Sequence, residues 1–244
     1  MKNLAQMTMS LVLLAGAIEA HAVTIYSQDL NANDGGYTVS NTGPVLDPWT
    51  YSGAGPNGNW FTNGTDNLNL PGIPSSSALT SPTINVTTGG PLTLSFAHLY
   101  NFERDTVRWD GGAVFVSVNA GAFTQVPAAS FTANGYDGII EGNNALNGLS
   151  GFNGVSGSPA AFTPGAVNGT FLVSTASLGS FNAGDTLQLR FLGAWDEFAE
   201  GNLPNWEITS VQLEAAAVIP EPASALFGVL SLAALAKRRR AAKA

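Results

Sequence analysis

The side chains that carry most proton-transfer and metal chemistry are scarce in this chain. Its 244 residues include two histidines and no cysteine. His21 sits beside an apolar N-terminal run, so His98 is the single imidazole of the body. A Ser-His-acid triad needs that imidazole beside a serine and an orienting carboxylate. His98 instead alternates in phase with Phe96 and Tyr100, where a core-facing, hydrogen-bonded histidine is expected. No G-x-S-x-G elbow occurs, and Gly148-Leu149-Ser150-Gly151 does not satisfy that pattern. The same counts exclude the usual zinc sites, which draw chiefly on Cys and His.

Carboxylates are more numerous. Glycoside hydrolysis needs two of them about 5 to 10 Å apart across the scissile bond. Glu103-Arg104-Asp105 offers an alternating pair, but Thr106 and Val107 follow it with no third acid. Asp196, Glu197 and Glu200 gather near Trp195, yet Gly201-Asn202 reads as a loop. Neither group supports catalysis, and no enzyme is expected. A hard cation is a better match, because calcium takes six to eight oxygens from carboxylates, carbonyls and water. Asp29, Glu103, Asp110 and Asp196 are the expected ligands, with Asp105 and Glu197 close by in sequence. Acids solvated opposite the arginines are the competing reading, and no D-x-D-x-D-G loop is present. Among the aromatics, Trp49, Tyr51, Trp60 and Phe61 lie among Gly, Pro and Asn, and Trp109 and Trp195 lie near acids. Trp49, Trp60 and Trp195 are candidates for stacking on sugars; the alternative is that such rings plug the ends of a sandwich.

The elements that must position these groups are strands. Leu92, Leu94, Phe96, His98, Tyr100 and Phe102 alternate with Thr93, Ser95, Ala97, Leu99 and Asn101. Ala113–Asn119 forms a second strand, and Asn119-Ala120-Gly121 turns it into Ala122–Val126 as a hairpin. Later strands cover Thr170–Ser174, Thr186–Leu192 and Trp206–Leu213. No sustained helical period appears between 23 and 214, and 31–74 reads as irregular with at most one strand. Many short strands with Gly-rich turns predict an all-β, antiparallel two-sheet jelly-roll sandwich. With no disulfides available, about 190 residues must be stabilised by their own core.

Both ends differ from the body. Lys2, the apolar run Leu11–Ala17 and Ala20-His21-Ala22 are the three parts of a secretory signal, with cleavage expected after Ala22. At the other end Pro220-Glu221-Pro222 precedes an apolar run, 223–236, and then Lys237-Arg238-Arg239-Arg240. Those 14 residues would make a helix of roughly 21 Å, short of the ~30 Å hydrocarbon core, with the basic cluster held cytoplasmic. The order of box, apolar helix and basic end resembles the PEP-CTERM sorting signal. That resemblance implies an exosortase-like membrane enzyme as partner, transient residence in the inner membrane, and delivery to the cell surface or an extracellular, exopolysaccharide or biofilm matrix. Ala20, Ala22, Pro220, Glu221, Pro222, Arg238, Arg239 and Arg240 are the residues expected to serve sorting.

Without the two ends the body keeps three arginines, Arg104, Arg108 and Arg190, against fifteen carboxylates, a net charge of −12 with no lysine. Such a surface repels nucleic acid, whose binding needs cations that displace counterions. It also disfavours anionic lipid heads and acidic polysaccharide unless a divalent cation bridges them. Extracellular polysaccharide is the partner that the tail's resemblance implies, with glycan binding or, less favoured, glycan hydrolysis as the alternative to a plain surface or matrix role.

The body also carries a series of short features: Leu79-Thr80-Ser81-Pro82-Thr83-Ile84, Leu92 to His98, Asn101-Phe102-Glu103 and Trp109-Asp110-Gly111-Gly112. Phe152-Asn153-Gly154, Ala183-Gly184-Asp185, Leu189-Arg190-Phe191, Asp196 and Trp206-Glu207-Ile208 follow. Their order, from about Ser27 to Glu214, resembles the MAM-like jelly rolls of the concanavalin A-like superfamily. The resemblance implies binding or spacing rather than catalysis, and one structural calcium ion. Where the family often has Asp after Trp-x-Ile-x, Thr209-Ser210 stand here. The domain plan is therefore a signal helix at 1–22, a jelly roll at 23–214 and a sorting tail at 215–244 whose apolar run, 223–236, is expected as a transmembrane helix.

Overall fold

The computed structural model describes residues 21–55, 58–64, 73–157, 169–196 and 204–216. Ala22–Ala216 forms one compact unit. The expected signal and tail helices lie outside the described residues, as do Ala20, Pro220, Glu221, Pro222 and Arg238–Arg240; Ala22 is described and exposed. Among the described residues no helix is long and apolar enough to cross a membrane.

The strands are β1 (Val23–Asp29), β2 (Thr38–Thr42), β3 (Thr50–Tyr51), β4 (Trp60–Thr62), β5 (Ser75–Thr80), β6 (Ile84–Asn85), β7 (Gly90–Phe102) and β8 (Gly111–Val118). They continue as β9 (Thr124–Gln125), β10 (Phe131–Ala133), β11 (Gly138–Ile139), β12 (Ser150–Gly151), β13 (Gly154–Val155), β14 (Leu172–Phe181), β15 (Thr186–Trp195) and β16 (Trp206–Ala215). One sheet runs β10-β14-β7-β16-β4-β3, with β1 added to β16 and β13 to β7. The facing sheet runs β2-β5-β15-β8-β9, with β6 on β15. All pairings among the described residues are antiparallel, which gives a two-layer sandwich.

The alternation of β7 decides which face looks inward. Leu92, Leu94, Phe96, His98, Tyr100 and Phe102 are all buried, while Thr93 is exposed and Ser95 and Ala97 are partly exposed. From the facing sheet β15 contributes Leu187, Leu189 and Phe191, and β16, beside β7 in the same sheet, adds Trp206, Ile208, Val211 and Leu213. Phe152 fills the centre, its ring 4.7 Å from His98, 4.8 Å from Tyr136 and 5.3 Å from Tyr100. Gly112 makes this packing possible, since a Cβ there would lie 2.7 Å from the Trp206 ring.

The span 31–74 departs from expectation. In place of at most one strand it contributes β2, β3 and β4. β3 and β4 are too short for alternation to show, and they exist because β16 offers an edge on which Trp60, Phe61 and Thr62 pair with Ile208, Glu207 and Trp206. β14 runs seven residues beyond the expected Ser174, to Phe181, through a bulge between Ser177 and Gly179.

Candidate functional site

His98 is fully buried between two partners. The indole N–H of Trp206 lies 3.0 Å from Nδ1, and Ser174 Oγ lies 2.7 Å from Nε2. An indole nitrogen only donates, so Nδ1 accepts and the ring proton sits on Nε2. Nε2–H then donates to Ser174, whose own hydroxyl donates to the Asn134 carbonyl at 2.5 Å. In that tautomer His98 cannot take a proton from Ser174, and an indole occupies the place of the orienting acid. Burial pulls the imidazole down to about 3, so it stays neutral at ordinary pH.

Acidic chemistry gathers at one end of the sandwich. β7 ends at Phe102 and β8 starts at Gly111, so Glu103 and Asp110 stand at the two feet of one connecting loop. β15 runs antiparallel to β8 with Ala194 opposite Gly111, which carries Asp196 alongside Asp110. Carboxylate oxygens of Glu103, Asp110 and Asp196 all lie within 4.8 Å of one another. Asp110 is buried, and its Oδ1 accepts the Asp196 backbone N–H at 3.0 Å. Burial raises this carboxyl well above its usual range, and the charges of Asp196 and Glu103 raise it further against that one hydrogen bond.

Sequence reasoning missed Asn153 as part of this centre. Its amide donates to the Glu103 carbonyl at 3.0 Å and to the Asp110 carbonyl at 2.7 Å, tying both feet of the loop together. Asn153 is itself buried, and its Oδ1 has no hydrogen-bond partner among the described residues. Phe152-Asn153-Gly154 was visible as a motif, but nothing in the sequence joined it to Glu103 or Asp110.

Asp29 does not join the group. It ends β1 opposite Ser210, and its Oδ1 accepts the Asn31 backbone and side-chain N–H groups at 3.0 and 2.8 Å. Asp105 also lies outside the triad, and Glu197 and Glu200 lie outside the described residues. Thr209 spends its hydroxyl on the Ala97 carbonyl at 3.4 Å.

No family model and no curated protein matches the chain. Among solved structures it is similar to a family 35 carbohydrate binding module from Paenibacillus barcinonensis, at 16% identity and a TM-score of 0.35, over 78% of this chain and 99% of that one. It is similar to the K3 cleaved adhesin domain of Lys-gingipain from Porphyromonas gingivalis, at 15% identity and a TM-score of 0.41, over 80% and 100%. A third is the carbohydrate binding module from Cellvibrio mixtus lichenase 5A, at 13% identity and a TM-score of 0.31, over 80% and 99%. Likeness at this level assigns neither family nor ligand.

The three tryptophans expected to stack on sugars are interior residues. Trp49, Trp60 and Trp195 are 3%, 8% and 1% exposed, so none offers a ring face to a ligand. Their indole N–H groups are consumed inside the fold by the carbonyls of Ser77 and Asp34 and by Asn205 Oδ1, at 3.1, 2.9 and 2.9 Å. A buried indole needs such a partner, and each ring has found one. Trp206 is equally buried, which leaves Trp109 as the one tryptophan of five outside the core.

Proposed function

We propose that this chain is an exported, non-enzymatic binding module of the cell surface or matrix, with a calcium ion organising the end of its sandwich. The observation that carries the reading is Asp110, a carboxylate buried beside two others. Burial and the two neighbouring carboxylates favour the protonated form of Asp110, and a cation entering between them would reverse that preference. The donor set suits a hard cation, being all oxygen, and Asn153, whose Oδ1 has no partner among the described residues, holds the backbone of two of the three acids. Glu103, Asp110 and Asp196 would hold the ion, with carbonyls and water completing six to eight oxygens. Its contribution is structural: it would pin both feet of the 103–110 loop to the end of β15.

The sorting part of the proposal rests on the N-terminal signal pattern and on the Pro-Glu-Pro box with its apolar run and arginines. An exosortase-like processing enzyme is the proposed partner, and extracellular polysaccharide the proposed surroundings. Calorimetric titration of the secreted protein with calcium should give one site per chain and a thermal midpoint that falls on adding chelator. A midpoint indifferent to both would remove the calcium reading. Intact mass of the secreted protein should match cuts after Ala22 and at the box; a full-length mass would remove the sorting reading.

A further inference from the structure

Trp109 stands immediately before Asp110 in the loop whose feet form the acidic centre. Its indole N–H donates to Asp105 Oδ1 at 3.1 Å, and the same oxygen accepts the Val107 backbone N–H at 2.7 Å. The backbone is clamped as well. Asn144 Nδ2 donates to the Trp109 carbonyl at 2.7 Å, and the Glu141 and Gly142 N–H groups donate to the Arg108 carbonyl at 2.8 and 3.1 Å. Gly142 is required for this approach, since a Cβ there would lie 1.9 Å from the Trp109 carbonyl oxygen. The result is a partly exposed indole with its ring and main chain both fixed before any ligand arrives.

What surrounds the ring points to the class of ligand. Asp105 and Glu141 are exposed, and Asp105 Oδ2 has no partner among the described residues. Glu141 uses only Oε2, on the Arg108 N–H at 3.3 Å. Carboxylate oxygens beside an aromatic face accept from sugar hydroxyls in charge-assisted hydrogen bonds, while the ring packs on the apolar C–H face of a pyranose. The body's charge of −12 turns away uronic and phosphorylated glycans. A cage for a quaternary ammonium needs several rings, and no other described aromatic ring pairs with Trp109.

We infer that Trp109, with Asp105 at its indole N–H and Glu141 on the adjoining Arg108 backbone, is the platform on which this module binds a neutral glycan. The site rests on the calcium reading in one respect, because the ion would hold the feet of the loop that carries it. The test uses the secreted protein and neutral β-1,3-glucan, β-1,4-glucan and β-1,4-xylan hexaoses, each titrated with calcium present. At least one should protect tryptophan fluorescence from acrylamide, because Trp109 is the most exposed of the five tryptophans. Trp109→Ala should weaken that hexaose tenfold or more with the calcium-induced thermal shift intact, and Trp109→Tyr should recover most of the affinity. Chelator should weaken wild-type binding without abolishing it.

The platform is wrong if Trp109→Ala binds hexaose as tightly as wild type, or if no hexaose alters quenching and a tetramethylammonium ion does. It is equally wrong if none of these ligands alters quenching. Failure of the calcium reading looks different: hexaose binding sensitive to Trp109→Ala, with no response to calcium or chelator.

Discussion

The indole N–H of Trp206 meets Nδ1 of His98 at 3.0 Å, and both rings are fully buried. That contact, together with Ser174 on Nε2, fixes one tautomer of a histidine that has no solvent to exchange with. It also sets a pH dependence. The unfolded chain takes up this proton below about 6.5, whereas the folded protein takes it up only near 3. Between those values each fall in pH favours the unfolded state, by up to about 1.4 kcal/mol per unit. Stability from His98 is therefore complete above pH 6.5 and is lost on acidification. Urea unfolding of wild type and His98→Gln from pH 7 to pH 4 should show a shallower slope in the variant. Parallel slopes would mean that the imidazole is not held neutral.

Asp110 carries the opposite sign. Its carboxyl is raised by burial and by Asp196 and Glu103, so without a cation the folded protein holds a proton that the unfolded chain releases near 3.8. In chelator, stability should fall as pH rises above 3.8, and saturating calcium should remove that fall. Asp110→Asn keeps an oxygen for the Asp196 N–H while deleting the charge. In chelator at pH 7 it should be more stable than wild type, because it carries no carboxyl to desolvate. In calcium it should lack the increment that wild type gains, about 2.7 kcal/mol at a hundredfold excess over Kd. Equal calcium stabilisation of both proteins, read by denaturant melts, would remove Asp110 from the ligand set.

How much of this was legible follows from where each residue finds its partners. β7 was readable because one face of a central strand is buried along its whole length, so alternation survives in the sequence. β5 was not, because Ser75-Ser76-Ser77-Ala78-Leu79-Thr80 is buried at all six positions and shows no alternation. Its polar groups are satisfied by distant chain: Ser77 Oγ donates to Asn41 at 2.7 Å and accepts the Trp49 N–H at 3.1 Å. Glu103, Asp110 and Asp196 could be proposed as cation ligands from residue type and order. That Asp29 stands apart, and that Asn153 ties the loop, depend on β8–β15 register and on contacts 43 and 50 residues apart. The tryptophans misled for a related reason. Small polar neighbours in sequence suggested exposure, while the groups that cover the rings come from elsewhere in the fold.

Trp195 shows this most directly. Its Nε1–H donates to Asn205 Oδ1 at 2.9 Å, and a Cβ on Gly64 would lie 2.4 Å from the same nitrogen. Gly64 also has a φ of +75°, which an L side chain rarely adopts. Gly64→Ala should cost about 3 kcal/mol from overpacking and backbone strain together. Trp195→Phe should cost about 1 to 3 kcal/mol by stranding Asn205 Oδ1. Neither change should weaken glycan affinity in the fraction that remains folded. Thermal melts of Gly64→Ala within a degree of wild type would place Trp195 outside the core.

A gain in stability is expected at the β8–β9 turn. Asn119 and Ala120 take φ values of +51° and +58°, and Gly121 N–H closes the turn on the Val118 carbonyl at 2.9 Å. Two consecutive left-handed residues are the signature of a type I′ hairpin turn, in which asparagine followed by glycine is the favoured pair. Asparagine stands where it should, but alanine occupies the glycine position and bears the contact between Cβ and the following carbonyl. Ala120→Gly removes that strain, at some cost in unfolded-state entropy, for a net gain of about 0.5 to 1 kcal/mol. The turn follows the end of β8 away from Asp110 and its residues are exposed, so calcium and glycan responses should stay unchanged. Chemical denaturation should place the midpoint of Ala120→Gly above that of wild type with an equal slope. A lower midpoint would show that the turn does not hold Ala120 in the left-handed region.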